Sequence, residues 1–215
     1  MEIRVGARGS PLSKIQTKEV LSELQRFHPY VRFSPSWITT TGDKDLSTPL
    51  WKAQIDFFTK EIDEKQLRGN FRISIHSAKD LPSSIPEGLE IVAITKGVSS
   101  YDSLVMAQEM SVQTLPKNAR IGTSSKRREA AIKALRSDLQ TIDIRGSIQE
   151  RLLLLENSSI DGLVIAEAAL IRLKLTCLNR IFLEHEPEPL QGKLAIIARK
   201  EDNEMRTLFS CIDAR

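Results

Sequence analysis

The regular alternation of strand-like and helix-like segments constrains the fold more than any other feature of this sequence. Short apolar runs such as FRISIH and DGLVIA alternate with amphipathic runs such as SKIQTKEVLSEL and SIQERLLLLEN. This alternation predicts βαβ units and mainly parallel sheets. Two stretches interrupt it: TKGVSSYDS (95–103), and EHEPEPLQG (184–192), which leads into a last apolar strand, KLAIIAR.

Both interruptions fit a chain that leaves a first domain, builds a second one and returns to finish the first. We therefore predict an α/β protein with two lobes like those of periplasmic binding proteins. The predicted boundaries are 1–97 plus 188–215 for domain 1 and 98–187 for domain 2. A chain of 215 residues is long enough to give each lobe its own core. Two crossovers between such lobes make a hinged cleft.

Composition argues against several classes of protein. The net charge is only +3 and aromatic residues make up 5% of the chain, so a nucleic-acid partner is not expected. Two cysteines do not make a disulfide framework and indicate a reducing compartment. The sequence shows no signal-peptide pattern and no apolar run of the roughly eighteen residues that a membrane span needs, so we expect a cytoplasmic protein. The three histidines show no metal-ligand spacing, and we expect no metal.

The stretch IGTSSKRREAAIKAL is the most informative local feature. A strand ends before Thr123, Ser124 and Ser125, whose hydroxyl and backbone N–H groups lie at the start of a helix, and Arg127 and Arg128 follow in its first turn. Helix N-termini attract anions and disfavour cations, so two arginines there need a negative partner. The alternative is a capped helix with a charged face in solvent.

Similar arrangements recur along the chain. Arg8 precedes a helix cap at Ser10, and Arg145 lies at a strand end before a cap at Ser147. Two further arginines lie within the next helices, Arg151 and Arg172. The planar fork of arginine binds carboxylates bidentately, which suits a ligand that carries several of them. Phosphate could use the same set.

The stretch IHSAKDLP brings His76, Ser77, Lys79 and Asp80 together where an apolar strand ends. An aspartate beside a lysine is usually a surface ion pair worth less than about 1 kcal/mol. The other interpretation is a catalytic carboxylate at the mouth of a cleft. No G-x-S-x-G nucleophile elbow is present, and His76 alone is better explained by a structural role.

Together these stretches resemble the porphobilinogen deaminase (hydroxymethylbilane synthase) family. The matching segments are RVGARGSPLS, TTGDKDLSTPL, HSAKDLP, EGLEIVAI, IGTSSKRR, IRGSIQERL, IAEAALIRL and LQGKLAI, in the order of the family. The resemblance implies an enzyme that joins porphobilinogen units into hydroxymethylbilane, releasing ammonia. It also implies a monomer and a dipyrromethane cofactor.

The resemblance assigns roles to individual residues. The carboxylate at the position of Asp80 hydrogen-bonds pyrrole N–H groups and stabilises a cationic azafulvene, so Asp80 is the catalytic candidate. The implied set that binds the acetate and propionate groups of substrate and cofactor is Arg8, Ser10, Lys52, Ser77, Lys79, Thr123, Ser124, Ser125, Arg127, Arg128, Arg145, Gly146, Ser147, Arg151, Ala166, Arg172 and Gln191.

The sequence also departs from the family pattern. We expect the family's C-terminal domain, with its cofactor cysteine, to be absent, and neither Cys177 nor Cys211 matches the setting of that cysteine. The lid segment WKAQIDFFTKEI lacks the family's glycines and keeps only Lys52. These departures leave a degenerate pyrrole-carboxylate-binding protein as the second hypothesis. A two-lobed module for another small anion is the third.

Overall fold

The structure is a computed structural model that describes residues 1–45, 48 and 56–215. Its contacts divide the chain into two units. Unit 1 comprises Met1–Lys44, the described residues of Gln54–Ser99, and Pro189–Arg215; unit 2 comprises the described residues of Asp45–Ala53, and Ser100–Glu188. Within the described ranges, no helix is long and apolar enough to cross a membrane.

Unit 1 is built on a five-stranded sheet with the strand order β2-β1-β3-β10-β4. Its strands are β1 (Glu2–Arg8), β2 (Arg32–Ile38), β3 (Ile73–Ser77), β4 (Leu89–Ile94) and β10 (Leu194–Arg199). Its helices are α1 (Pro11–Phe27), α2 (Thr41–Lys44), α3 (Lys60–Leu67) and α7 (Asn203–Phe209), and 3₁₀ turns cover Ala78–Asp80 and Ser210–Ile212.

Unit 2 is built on a second five-stranded sheet with the order β7-β6-β8-β5-β9. Its strands are β5 (Asp102–Met106), β6 (Arg120–Gly122), β7 (Gln140–Ile142), β8 (Gly162–Ala166) and β9 (Arg180–Phe182). Its helices are α4 (Lys126–Leu135), α5 (Ile148–Glu156) and α6 (Glu167–Arg172).

Both sheets are half parallel, whereas the sequence pattern predicted mainly parallel sheets. In unit 1, β1 pairs in parallel with β2 and β3, and β10 runs antiparallel between β3 and β4. In unit 2, β6 pairs in parallel with β7 and β8, and β5 runs antiparallel between β8 and β9. The prediction was incomplete because β5 and β10 enter their sheets without the βαβ crossover that makes neighbouring strands parallel.

Each unit has its own hydrophobic core. In unit 1, α1 covers one face of the sheet through Val20, Leu21 and Leu24, which pack with Ile3 and Ile73. In unit 2, α4 and its flanking loops cover the sheet in the same way; the core there includes Leu104, Ile121, Ile132, Leu139 and Val164. The polar residues at the strand ends therefore follow strands whose positions are fixed by packing in these cores.

Gly192 shows why the segment before β10 requires a glycine. Its φ is +81°, in the region that side chains rarely adopt, and a Cβ there would lie 2.0 Å from the backbone oxygen of Ser99. A backbone carbonyl cannot move aside as a side chain can. This close approach fixes the neighbouring Gln191, which is 4% exposed.

Candidate active site

The turn that carries Asp80 is fixed by its buried first residue. Ala78 is 2% exposed and packs with Ile94 and Ala195, and its backbone N–H donates to the Lys193 carbonyl at 3.0 Å. The 3₁₀ turn that follows leaves Asp80 exposed. Among the described residues, no hydrogen bond or ion pair engages the Asp80 carboxylate. A rigid turn thus presents a carboxylate that a ligand can approach.

The neighbours of Asp80 are held by residues from elsewhere in unit 1. Lys79 donates from Nζ to Gln191 Oε1 at 3.0 Å, so two of the predicted binding residues lie together. The Ser77 hydroxyl is hydrogen-bonded to Gln16 of α1, with 2.9 Å between Gln16 Nε2 and Ser77 Oγ. The end of β3 is therefore tied to α1 on one side and to the segment before β10 on the other.

A buried polar chain determines the tautomer of His76. Gln66 Nε2 donates to the carbonyls of Arg72 and Ile197, so Gln66 Oε1 must be an acceptor. The Ser74 hydroxyl lies 2.7 Å from Gln66 Oε1 and donates to it. Ser74 Oγ must then accept from His76 Nε2 at 3.0 Å. His76 therefore carries its proton on Nε2, and Nδ1 is an acceptor.

Burial and the charge of Arg8 lower the pKa of His76 to about 4. We expect long-range ¹H–¹⁵N NMR to show a neutral imidazole protonated on Nε2 at pH 5.5. Because the unfolded histidine takes up a proton near pH 6.5, stability falls as the pH drops from about 6.5 to 4, by about 3 kcal/mol in total.

Other groups also titrate in this range, and burial raises the pKa of Asp63 to about 6, which acts in the opposite direction. The contribution of His76 is therefore measured as the difference in unfolding free energy between the parent and His76→Gln across the pH range. His28→Gln, made at the C-cap of α1, serves as the control for the loss of a histidine, and an equal change from both substitutions would mean that the effect does not come from the site of His76. A protonated His76 ring at pH 5.5 would contradict this assignment.

Arg8 is held at the end of β1 by the carboxylate of Asp43, a residue that was not predicted from the sequence. Its guanidinium group forms a short ion pair with Asp43, and its Cζ lies 4.3 Å from the centroid of the Phe58 ring. Burial alone would raise the pKa of Asp43, but hydrogen bonds and charge from Arg8, with bonds from Thr40, hold it below its ordinary value. Ser10 caps α1, accepting from the backbone N–H of Ser13 at 3.2 Å.

In unit 2, the hydroxyl groups of the loop before α4 form hydrogen bonds that stabilise the loop. Ser124 Oγ donates to the Ile144 carbonyl at 2.6 Å and accepts from the Ile144 N–H at 3.1 Å, which ties the loop to the segment after β7. Thr123 Oγ1 accepts from the N–H of Ser125 at 3.3 Å, and Ser125 is the N-cap of α4. The predicted start of this helix is confirmed, whereas the alternative of a charged face in solvent does not hold for Arg127 and Arg128, whose side chains are only 24% and 12% exposed.

Arg127 and Arg128 have the negative partner that their position demands. Asp102, whose side chain is completely buried, receives Arg128 Nη2 on Oδ1 at 2.6 Å and Arg127 Nη2 on Oδ2 at 2.8 Å. Arg127 is engaged further: Nε lies 3.1 Å from Glu188 Oε2, and Nη1 lies 2.7 Å from His185 Nδ1 and donates to the Glu186 carbonyl at 3.0 Å. Arg128 is engaged less, because its Nε is buried and forms no hydrogen bond among the described residues.

The turn after β7 is stabilised by Arg151 of α5. Arg151 Nε donates to the Gly146 carbonyl at 2.9 Å, and Gly146 has a φ of +98°. Ser147 caps α5 in a capping box with Glu150, so its hydroxyl is engaged in the cap. Arg145 Nη2 donates to the Asp45 carbonyl at 3.0 Å, also within unit 2.

The remaining predicted residues have simpler positions. Ala166 ends β8 and pairs in register with Asp102, and Arg172 is buried at the end of α6. Lys52 lies outside the described residues. A pocket of about 140 Å³ opens beside the loop and is lined by Thr123, Ser124, Ser125, Lys126, Glu129, Thr141 and Asp143. Its two carboxylates make it a poor receptor for a polyanion, and the side chains of Arg127 and Arg128 do not line it.

Four residues of the site could not be recognised from the sequence: Asp43, Asp102, His185 and Glu188. For Asp102 the signal was weak, because it stands at the edge of the stretch TKGVSSYDS, which the sequence analysis treated as an interruption. Its role depends on which strand lies beside β8, and no local pattern carries that information. Glu188 lies in EHEPEPLQG, which the sequence pattern likewise marked only as an interruption of the alternation.

The two sheets define a class by fold: a two-unit α/β protein with arginines close to several strand ends. Known structures agree on the fold. YhfZ from Shigella flexneri superposes with a TM-score of 0.51 at 14% identity, covering 99% of this chain and 90% of that one. A Bacillus subtilis lipoprotein to which methionine binding is ascribed gives 0.57 at 12% identity, covering 98% and 89%. The predicted architecture, with lobes like those of periplasmic binding proteins, is confirmed.

Sequence relatives identify the family. The family model described as porphobilinogen deaminase, dipyromethane cofactor binding domain, matches residues 3–207. Porphobilinogen deaminase of Deinococcus deserti is 39% identical over 92% of this chain, and that of Syntrophomonas wolfei is 38% identical over 98%. This chain belongs to the porphobilinogen deaminase family, as its motifs indicated. It spans 66% of the first relative and 70% of the second.

The residues of unit 2 fit a cofactor that carries several carboxylates. Dipyrromethane has acetate and propionate groups, and the described site offers guanidinium donors at the start of α4. The buried Nε of Arg128, which lacks a hydrogen-bond partner among the described residues, marks unused donor capacity beside that helix end. Arg127 and Arg128 are the residues that would hold such carboxylates. When bound, the cofactor supplies the pyrrole end to which the first substrate is joined.

The chain has two cysteines, Cys177 and Cys211. Both are exposed and neither forms a disulfide. The Cys211 thiol donates to the Leu208 carbonyl at 3.4 Å, and partial burial raises its pKa. Less of it is therefore present as the thiolate that acts as a nucleophile.

Proposed function

We propose that this chain acts in tetrapyrrole biosynthesis by condensing porphobilinogen units into hydroxymethylbilane, with release of ammonia. Its family membership supports this function, and one observation carries it: the rigid turn after β3 presents the Asp80 carboxylate without a partner among the described residues. A carboxylate placed this way can stabilise the cation left when ammonia departs from the substrate. Lys79 beside it contributes positive charge for a substrate carboxylate.

The site residues named from the resemblance are part of this proposal. Arg8, Ser77, Lys79 and Gln191 would bind ligand from unit 1. From unit 2, the strongest candidate is Arg128, whose guanidinium group is held by Asp102 but keeps an unused Nε. Several of the others first hold the protein together: Ser10, Ser124, Ser125 and Ser147 bond to backbone groups or cap helices. The backbone N–H of Ser125 donates to Thr123 Oγ1 and that of Ser147 to Glu150 Oε2, so the backbone contribution of these loops would come from Ser10 and Ser124.

We also propose that the units are separate domains with the boundaries 1–97 plus 188–215 and 98–187. The division of contacts near residues 99 and 189 supports this. A monomer in the cytoplasm without a nucleic-acid partner is the expected setting. The small net charge and the free thiols support that setting.

The proposed function is tested by incubating the purified protein with porphobilinogen and following ammonia and hydroxymethylbilane, with the denatured protein mass recorded in parallel. We expect both products to accumulate in proportion to protein. Added mass that matches pyrrole units would identify a covalent primer, and unchanged mass would identify a noncovalent one. Binding without ammonia would favour the degenerate pyrrole-carboxylate-binding protein, and absence of both would contradict the proposal.

A further inference from the structure

Asp102 is the most completely enclosed carboxylate beside the anion site of unit 2. It is the first residue of β5, its side chain is 0% exposed, and it pairs in register with Ala166 at the end of β8. Burial alone would raise its pKa, but the charges and hydrogen bonds of Arg128 and Arg127 keep the pKa below its ordinary value. Asp102 is therefore an ion held in the protein interior by two cations.

The two cations are close neighbours at an unfavourable place. Arg127 and Arg128 follow Lys126 at the start of α4, where the helix dipole repels positive charge and the two guanidinium groups repel each other. Asp102 receives one nitrogen from each, on different oxygens, at 2.8 and 2.6 Å. A single carboxylate thus fixes both side chains and offsets one of their two charges.

We propose that Asp102 is the positioning residue of this anion site: it orients Arg127 and Arg128 so that their remaining donors meet a ligand carboxylate. The inference rests on the proposed function for the identity of the ligand. Asp102 does not touch the ligand and acts through the arginines. Glu188 also pairs with Arg127, so the two arginines and the two carboxylates balance in charge, and a ligand carboxylate is held by directed N–H donors and not by net charge.

The first test compares the affinity for porphobilinogen of the parent and Asp102→Asn by titration calorimetry, both carrying Asp80→Asn to suppress turnover. Removing a negative charge should by itself strengthen the attraction of an anion. A weaker affinity therefore cannot come from the change of charge, and we expect lost orientation of the arginines to cause a loss of about tenfold. Equal or tighter binding by Asp102→Asn would overturn the proposal.

The control is Asp138→Asn, which makes the same change at the other end of α4. Asp138 also receives two arginine nitrogens, Nε and Nη2 of Arg136, each at 2.7 Å. It lies outside the proposed site and should leave the affinity unchanged. A matching loss there would mean that any weakened Asp–Arg pair on α4 disturbs binding, which would also overturn the proposal.

A double-mutant cycle separates positioning from a general structural role. If Asp102 acts through Arg128, the effect of Asp102→Asn on affinity should largely disappear when Arg128→Ala is already present. Additive losses would show that Asp102 supports binding by another route. Thermal midpoints recorded for every variant reveal any shared loss of stability.

One measurement needs neither the ligand nor a folded variant. In the parent protein, ¹⁵N NMR of the arginine side chains should show slow rotation of the Arg127 and Arg128 guanidinium groups, unlike that of Arg68, which is 72% exposed. Rotation as fast as that of Arg68 would overturn the proposal even if porphobilinogen binds. Slow rotation without porphobilinogen binding would instead leave the positioning role standing and reject the proposed function.

Discussion

Asp80→Asn should abolish most turnover while leaving the binding of porphobilinogen within about threefold of the parent. The amide keeps the shape of the carboxylate but not its charge, so it cannot stabilise the cation formed when ammonia leaves. Removing electrostatic stabilisation of this kind typically costs about 10²- to 10⁴-fold in rate. The check is the initial rate of ammonia release together with the dissociation constant from calorimetry.

Asp161→Asn is the matched control for this prediction. Asp161 precedes β8, pairs with Arg120 at 3.3 Å, and lies at the opposite end of that strand from Ala166. We expect it to retain the parental rate. Equal rates for Asp80→Asn and the parent would remove Asp80 from the chemistry.

Arg128→Ala should weaken porphobilinogen binding by about 10- to 100-fold. Hydrogen bonds to charged groups contribute about 1.5–3 kcal/mol each, and every 1.4 kcal/mol corresponds to a factor of ten in affinity. The variant also leaves the buried Asp102 with one guanidinium partner instead of two, so we expect a lower thermal midpoint. Calorimetry and thermal unfolding on the same samples separate the two effects.

Lys126→Ala tests whether charge alone accounts for the result. Lys126 belongs to the same first turn of α4, but its side chain is 76% exposed and pairs with Glu129 at 2.9 Å. We expect an affinity within about twofold of the parent. An equal loss from both variants would mean that the helix end attracts the ligand only through its general positive charge.

The sequence predicted the features of this fold that depend on neighbours in the chain. The capped start of α4 and the turn that carries Asp80 follow from local patterns of apolar, hydroxyl and charged residues. The strand β5 was not predicted because DSLVM begins with two polar residues, at the end of a polar stretch, and has only three apolar residues without alternation. Its five residues are all buried, between β8 and β9, and only the assembled sheet explains that burial.

The same distinction applies to the candidate site. The position of Arg127 and Arg128 at a helix start indicated that they need a negative partner. A ligand was the expected partner. Asp102 is 25 residues away from Arg127, so sequence spacing could not reveal it as the partner. Asp102 and Glu188 already pair with these arginines within the protein, so a ligand would have to use the N–H donors that they leave. Pairing across a sheet is set by the three-dimensional order of strands and not by proximity in sequence.

The position of β10 has a consequence for how this protein is made. Of the strands in the described residues, this one comes last along the chain, yet it lies between β3 and β4 inside the sheet of unit 1. A ribosome must therefore synthesise β5 to β9, the strands of unit 2, before the sheet of unit 1 can close. During synthesis the inserted unit can complete its core first. Until β10 has been synthesised, the edges of β3 and β4 that pair with it remain unpaired.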